Sequence, residues 1–457
     1  MSKYVHKSRS KHGWLSEDVI AIILVVVFLT GLAFYVYTGI KGYDEQVVRF
    51  MVTTDKERDD EKAGVPITPS VEKRMEYTLR DYPITMAFII VMFLLLSLWN
   101  HWKGASMQAI FCALFMLLGI GCSQKVLYEG FYGLTGEAGF IMIGCGTMIA
   151  TFLLWRAMGL RLNNVAYVIL SVLIIAMLGL NLIPIIKDQE INESFNWVRV
   201  AGITLQPSVF VKAGLIILGS CSFDSRKRQI WYFMLLLVSC AVIAMAKDIG
   251  ALFVLGLLFV SMVHLILDNR RLMTVVLCLG VIAFGVLVMT SSTAWERMSN
   301  WGDAMTIERY HQRDFISAVV RAGWGGLGIE HAYEFFWLYA GGTDGVMACI
   351  QAVFGVPMSC VVIGCFITIV MQCGVNRSQY RSSQPILFQM GVYITVQVLL
   401  NYGGALDVLP FTGITSPFLS TGGSSLIVDM ALMGVLLAAL YTKSDIYDHV
   451  EDREDEK

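Results

Sequence analysis

LNYGGALDVLPFTGITSPFLSTGGSSL, residues 400–426, joins two strongly apolar stretches with a run of Gly, Pro, Ser and Thr that holds no Lys or Arg between Gly403 and Ser424. A backbone of this kind cannot lie in bare hydrocarbon, because each unbonded N–H and C=O there costs several kcal/mol. It belongs where protein surrounds it or where it lines a polar cavity, and there its hydroxyls and free amides can meet an anionic headgroup. An ordinary hairpin outside the membrane is the plainer alternative.

The flanking stretches are part of a longer pattern. A bilayer core needs about twenty apolar residues per helix, and twelve runs near that length lie at 18–39, 83–99, 105–122, 137–156, 163–186, 207–221, 230–246, 249–267, 272–290, 345–372, 385–402 and 425–442. Runs 83–99 and 207–221 are short, as for helices that begin within the membrane or cross a thinned region. With 56% hydrophobic and 15% charged residues, the chain has too little polar surface for a soluble fold of 457 residues. The expected class is therefore an all-α integral membrane bundle of about 12 transmembrane helices.

A net charge of −2 gives no field that would select nucleic acid. The ten cysteines form no C-x-x-C pair, which argues against a zinc site or a disulfide framework. The basic start MSKYVHKSRSKH precedes a run too long for a signal segment, so it reads as an uncleaved first span.

Lys and Arg concentrate in every second loop: NHWKG, the Arg156 to Arg161 turn, SFDSRKRQ, DNRR and NRSQYRSSQ. By the positive-inside rule these are cytoplasmic, as are both termini, including the acidic tail 443–457. Two outer loops are long. Residues 40–82 carry both charge signs and read as a solvated spacer or a small docking hairpin, whereas 291–344 is rich in Gly and in interface aromatics such as Trp295, Trp301, Trp324 and Trp337. Within it GWGGLG, 323–328, lacks the Gly-Lys-Ser/Thr ending of a phosphate loop and reads as a flexible connection.

Ionisable residues at membrane depth cost about 2.5–3.5 kcal/mol each on insertion scales, so they need partners or water. Lys212, Lys247, Asp248 and Asp429 stand out. Asp248, at the turn between two spans in AVIAMAKDIGALFV, is placed to act as a general base on a sugar hydroxyl. It can equally cap the following helix and pair with Lys247 or Lys212. Asp429 reads as an interhelical hydrogen-bonding acid.

At these residues the chain resembles the SEDS family of RodA, FtsW and SpoVE, membrane glycosyltransferases that polymerise peptidoglycan from lipid II. The run QVLLNYGGALDVLPFTGITSPFLSTGGSSL, 397–426, is similar to the family segment ending PFxSYGGSSL, with Thr421 in place of Tyr. ITLQPSVFVKAGLI resembles the QPSE segment and its following Lys at Gln206, Pro207, Ser208 and Lys212, with Val209 where the family has Glu. AKDIGAL resembles PDLGTAL and puts the family acid on Asp248, with Lys247 replacing Pro. YHQRDFISAVVRAGWGGLGI and GGTDGVMACIQAVFG match at Gln312, Thr343 and Asp344, while Ala352 and Val353 stand at paired Glu positions and FNWVRV around Trp197 is what remains of GARRW. The chain looks like a divergent member.

The resemblance, read over roughly 190–442, implies N-terminal helices over 1–195, a catalytic core over 196–442 and two spans beyond the usual family core ahead of Trp197. It implies an inverting peptidoglycan glycosyltransferase in the bacterial plasma membrane, working during elongation, division or sporulation. Asp248 would be the catalytic base. Substrate contacts would fall on Lys212, Lys247, Arg297, Gln206, Ser208, Trp197, Gln312, Thr343, Asp344, Ser416, Ser420, Gly422, Gly423 and Ser424. No organic cofactor is implied, and a divalent cation such as Mg or Mn would fit the released polyprenyl pyrophosphate. The implied partner is a class B penicillin-binding protein. A translocase or scramblase of lipid-linked precursors, or a non-catalytic scaffold for a transpeptidase, would use the same cavity without the chemistry.

Overall fold

In hydrocarbon a backbone can bond only to itself or to neighbouring protein, and each of the twelve apolar runs answers by closing as a helix. The computed structural model describes residues 17–43, 71–103, 107–129, 137–186, 197–200, 203–223, 225–267, 270–290, 311–335, 341–374, 384–420 and 423–455, with a few positions between 295 and 302. In chain order the helices are α1 (Glu17–Lys41), α2 (Val71–Trp102), α3 (Gln108–Glu129), α4 (Glu137–Ala157) and α5 (Asn164–Ile186). A two-stranded hairpin, β1 (Val198–Val200) and β2 (Ile203–Leu205), precedes α6 (Pro207–Ser220), α7 (Arg226–Met245), α8 (Ile249–Leu267) and α9 (Arg270–Thr290). Then come α10 (His311–Ala322), a 3-10 segment (Ile329–Phe335), α11 (Val346–Gly374), α12 (Gln384–Ala405) and α13 (Gly423–Asp455).

Ten helices among the described residues are long and apolar enough to cross a membrane, and α6 is a shorter apolar helix of 14 residues. The protein is a multi-pass membrane protein. Run 83–99 proves longer than its apolar part, because α2 spans 32 residues and carries Pro83 inside it. The charged segment VEKRMEYTLRDY, read as loop, is a helical extension in which Asp81 and Tyr82 are buried and Tyr82 bonds Ser123 at 2.9 Å. Residues 44–70 of the expected loop lie outside the described residues.

Small residues set the closest helix approaches in a core otherwise filled by Leu, Ile, Val, Phe and Met. In α3, a Cβ on Gly119 would meet Leu29 of α1 at 2.3 Å, and one on Gly121 would meet the carbonyl oxygen of Leu419 at 2.9 Å. Helices that cannot gain hydrophobic energy from one another in lipid associate by such close approach. The same device joins α4 to α13, where Gly434 faces Thr151 and the Thr151 hydroxyl donates to the Ala431 carbonyl at 2.9 Å.

α11 breaks at Gly355 (φ 78°), just before Pro357. Proline supplies no N–H for the Val353 carbonyl, and the break also frees the Ala352 carbonyl and the Val356 N–H. The segment GWGGLG satisfies all three: Leu327 N–H donates to Ala352 at 2.9 Å, Gly328 N–H to Val353 at 2.9 Å, and Val356 N–H to the Trp324 carbonyl at 3.0 Å. The expected flexible connection is instead a backbone clamp on the kink.

Candidate active site

The α7–α8 turn is tight. Lys247 takes a left-handed conformation (φ 58°), and the chain reverses so that Asp248 stands at the start of α8. Its Oδ1 accepts the Ala251 N–H at 3.0 Å, so Asp248 is the helix cap that sequence reading left open. The other oxygen faces away from this helix. Oδ2 accepts the Ser208 hydroxyl at 3.0 Å and the Gln206 amide at 3.3 Å, both from the entry to α6.

That entry is shaped by its own sequence. Pro207 occupies the first helical position, where a missing N–H costs nothing, and Gln206 is extended (φ −107°, ψ 99°) and makes no cap with its side chain. Gln206 and Ser208 are thereby released toward Asp248. Lys212, one turn beyond Ser208, is 4% exposed and lies in the field of two carboxylates, Asp248 and Asp429. Asp429 in α13 accepts the Tyr393 hydroxyl of α12 at 2.9 Å, the interhelical bond its sequence context suggested.

A second group assembles around Asn401 at the end of α12. Its amide donates to the carbonyls of Thr343 (3.3 Å), Asp344 (2.9 Å) and Ile414 (2.7 Å), fastening the 341–345 turn to the 406–420 loop. Ser420 donates to Thr343 at 2.8 Å and receives the Ser416 N–H at 2.7 Å. Gln312 of α10 reaches the Gly404 carbonyl at 2.8 Å and Asp407 at 3.1 Å. The two groups meet at Gly250, two residues after Asp248, where a Cβ would strike Ile414 at 2.5 Å and the Thr412 carbonyl at 3.1 Å. Buried Asn401 Oδ1, Thr412 Oγ1 and Ser416 Oγ have no protein partner among the described residues, so each can bond water or a polar ligand.

The structure thus brings Gln206 and Ser208 onto Asp248, with Lys212 one turn further along α6, and Thr343 and Asp344 onto Asn401, with Ser420 bridging Thr343 and Ser416 and with Gln312 bonded to Gly404 and Asp407. Trp197, half-buried, leads into the hairpin that ends at Gln206. Lys247, Gly423 and Ser424 are half-buried, and the Phe140 ring occupies the side of Gly423 where a Cβ would stand. Arg297 and Gly422 lie outside the described residues. Asn401 and Gly250 were missed by sequence reasoning, although Asn401 stands inside the quoted stretch 400–426 and Gly250 inside AKDIGAL. As for a divalent cation, Asp248 Oδ2 accepts from a hydroxyl and an amide, and no three metal-ligating side chains converge among the described residues. These residues do not by themselves make a metal site.

Comparison with known proteins now adds to this geometry. The family model described as "Cell cycle protein", FtsW/RodA/SpoVE, matches residues 105–445. The chain belongs to this SEDS family. The match begins well before the motifs do and takes in α3, α4 and α5, so the two helices ahead of it are α1 and α2. Family relatives include the probable peptidoglycan glycosyltransferase FtsW of Taylorella equigenitalis, 24% identical over 71% of this chain and 92% of that protein. Its counterpart in Trichlorobacter lovleyi is 23% identical over 80% of this chain and 94% of that protein. Among solved structures, one chain from work described as "Structural coordination of polymerization and crosslinking by a peptidoglycan synthase complex" superposes with a TM-score of 0.55 at 20% identity, covering 74% of this chain and 97% of that one. The crystal structure of Thermus thermophilus RodA gives 0.50 at 16% identity over 74% and 98%. At these identities the likeness is one of fold.

Proposed function

We propose that the chain is a peptidoglycan glycosyltransferase that polymerises lipid II at the extracytoplasmic face of the bacterial membrane, with Asp248 as general base. The observation that carries this reading is the pair of bonds from Ser208 and Gln206 to one oxygen of Asp248, with Lys212 buried one turn beyond Ser208. Two donors on one oxygen fix the orientation of the carboxylate, which positioned proton transfer requires. Family membership and the names of the FtsW relatives support the same activity.

In the proposed step the 4-hydroxyl of an acceptor lipid II attacks the anomeric carbon of a lipid-linked donor. The glycosidic bond forms as the bond to polyprenyl pyrophosphate breaks, with inversion, and the hydroxyl proton passes to Asp248. The candidate cations for the departing pyrophosphate are Lys247, Arg297 and Lys212, which is buried one turn beyond Ser208. Asp248 is 6% exposed, so the acceptor reaches it when the 406–420 loop parts from Gly250. Ser416, Ser420, Gly422 and Gly423 then shape the space for sugar or carrier. The proposed partner is a class B penicillin-binding protein, a reading supported by the fold shared with a chain of the peptidoglycan synthase complex.

The test is polymerisation in vitro. Full-length protein, purified with its transpeptidase partner, is given lipid II and the products are separated on a gel. A ladder with the native chain and none with Asp248→Asn supports the reading. Equal ladders would remove Asp248 as base, and no ladder with any partner would hand the site to precursor translocation or scaffolding.

A further inference from the structure

Beyond that reading, the Lys- and Arg-rich end of the bundle holds a cavity of about 620 Å³ between the α4–α5 and α6–α7 connections. Arg161, Lys227, Arg228, Asn163, Asn164 and Ser225 supply its polar lining, and no carboxylate is among the described lining residues. Two helices begin here. Asn163 caps α5 by accepting the Ala166 N–H at 2.8 Å, whereas Ser225 precedes α7 and makes no cap with its side chain. Helix starts carry partial positive charge, so dipoles and side chains favour the same sign of ligand.

The cavity has a rigid floor and an exposed rim. Arg228 donates to the carbonyls of Leu162 (3.2 Å) and Cys221 (3.3 Å) and to Asn164 Oδ1 (2.7 Å), and lies over the Tyr167 ring at 4.7 Å. It ties the two connections together. Arg161 and Lys227 are exposed beside it.

What lies below the rim decides between a soluble anion and a lipid. α5 and α7 pack side by side, joined by the Trp231 indole N–H donating to Ser171 at 3.1 Å. Next to the cavity both helices expose apolar side chains, Val165 (68% exposed) and Val168 on α5 and Ile230 and Met234 on α7. A free phosphate uses only the cations. An amphiphile uses both.

We propose that this cavity binds the phosphate headgroup of an anionic membrane lipid, with the acyl chains against these apolar side chains of α5 and α7. The loop charges place this end at the cytoplasmic leaflet, where anionic headgroups and clustered Lys and Arg meet. Native mass spectrometry of the full-length chain, offered equal phosphatidylglycerol and phosphatidylcholine, tests it.

The native chain should retain phosphatidylglycerol preferentially, and the double variant Arg161→Gln with Lys227→Gln should lose about thirtyfold of that preference, the size expected for two interfacial cations. Both side chains are exposed, so the fold should survive. Lys103→Gln, in another basic connection, should change nothing. Equal retention of the two lipids by the native chain, or an equal loss with Lys103→Gln, overturns the site. Displacement of the bound lipid by millimolar inorganic phosphate overturns the lipid in favour of a soluble anion.

Discussion

Ser208 donates to Asp248 Oδ2 at 3.0 Å across forty residues of sequence, joining the first turn of α6 to the cap of α8. A hydrogen bond to a charged group is worth about 1.5–3 kcal/mol, and both residues are buried. Ser208→Ala should therefore lower the thermal midpoint measurably and slow polymerisation by roughly tenfold, through a less well-held carboxylate. Unchanged rate and midpoint would detach Ser208 from the site.

Asp248→Asn should separate charge from shape. Asparagine caps helices about as well as aspartate, so stability should change by no more than about 1 kcal/mol while turnover falls by about 10²–10⁴. Thermal unfolding alongside the gel assay checks both, and a variant that unfolds would not count as evidence on the base.

Lys212 lies in the fields of Asp248 and Asp429. Lys212→Met leaves two buried acids without their cation, a change of a kind that costs about 3–5 kcal/mol. Adding Asp429→Asn removes one of those acids, so the double variant should be more stable than Lys212→Met alone. Simple additivity in that cycle would show that Lys212 and Asp429 do not interact.

Asn401 serves three backbone carbonyls at once. Asn401→Ala should cost roughly 2–4 kcal/mol, the sum of three modest bonds, and Asn401→Asp should cost more because it replaces donors with an acceptor. Faster hydrogen exchange over 341–345 and 406–420 is the local signature to look for.

Neighbouring glycines at the α11 kink should behave differently. Gly326 (φ 79°) would place a Cβ 2.5 Å from backbone atoms of Gly355 and Val353, whereas Gly325 has nothing within 4 Å. Gly326→Ala should destabilise by more than about 2 kcal/mol and Gly325→Ala by less than about 1 kcal/mol. Equal effects, measured by thermal unfolding in detergent, would mean that the clamp is not held by backbone contact.

The sequence by itself determined where the apolar helices lie and put an acid at the α7–α8 turn, because hydrocarbon imposes a length on every apolar run and a penalty on every charge. Of the twelve runs expected to span, ten are long and apolar enough to cross among the described residues, and α6 is a shorter apolar helix. It could not tell buried α3 from lipid-facing α5, since protein interior and lipid tails are equally apolar to a side chain; the close approaches at Gly119 and Gly121 emerged only from the structure. It also began α2 only at the first residue of its apolar run, because charged turns such as EKRMEYTLRD read as loop when no neighbouring helix is in view. Tertiary structure alone decided that Gln206 and Ser208 turn to Asp248, and that Asn401 binds three carbonyls from two distant segments. Those contacts depend on how helices cross, and the crossings are fixed by packing between residues that no local pattern connects.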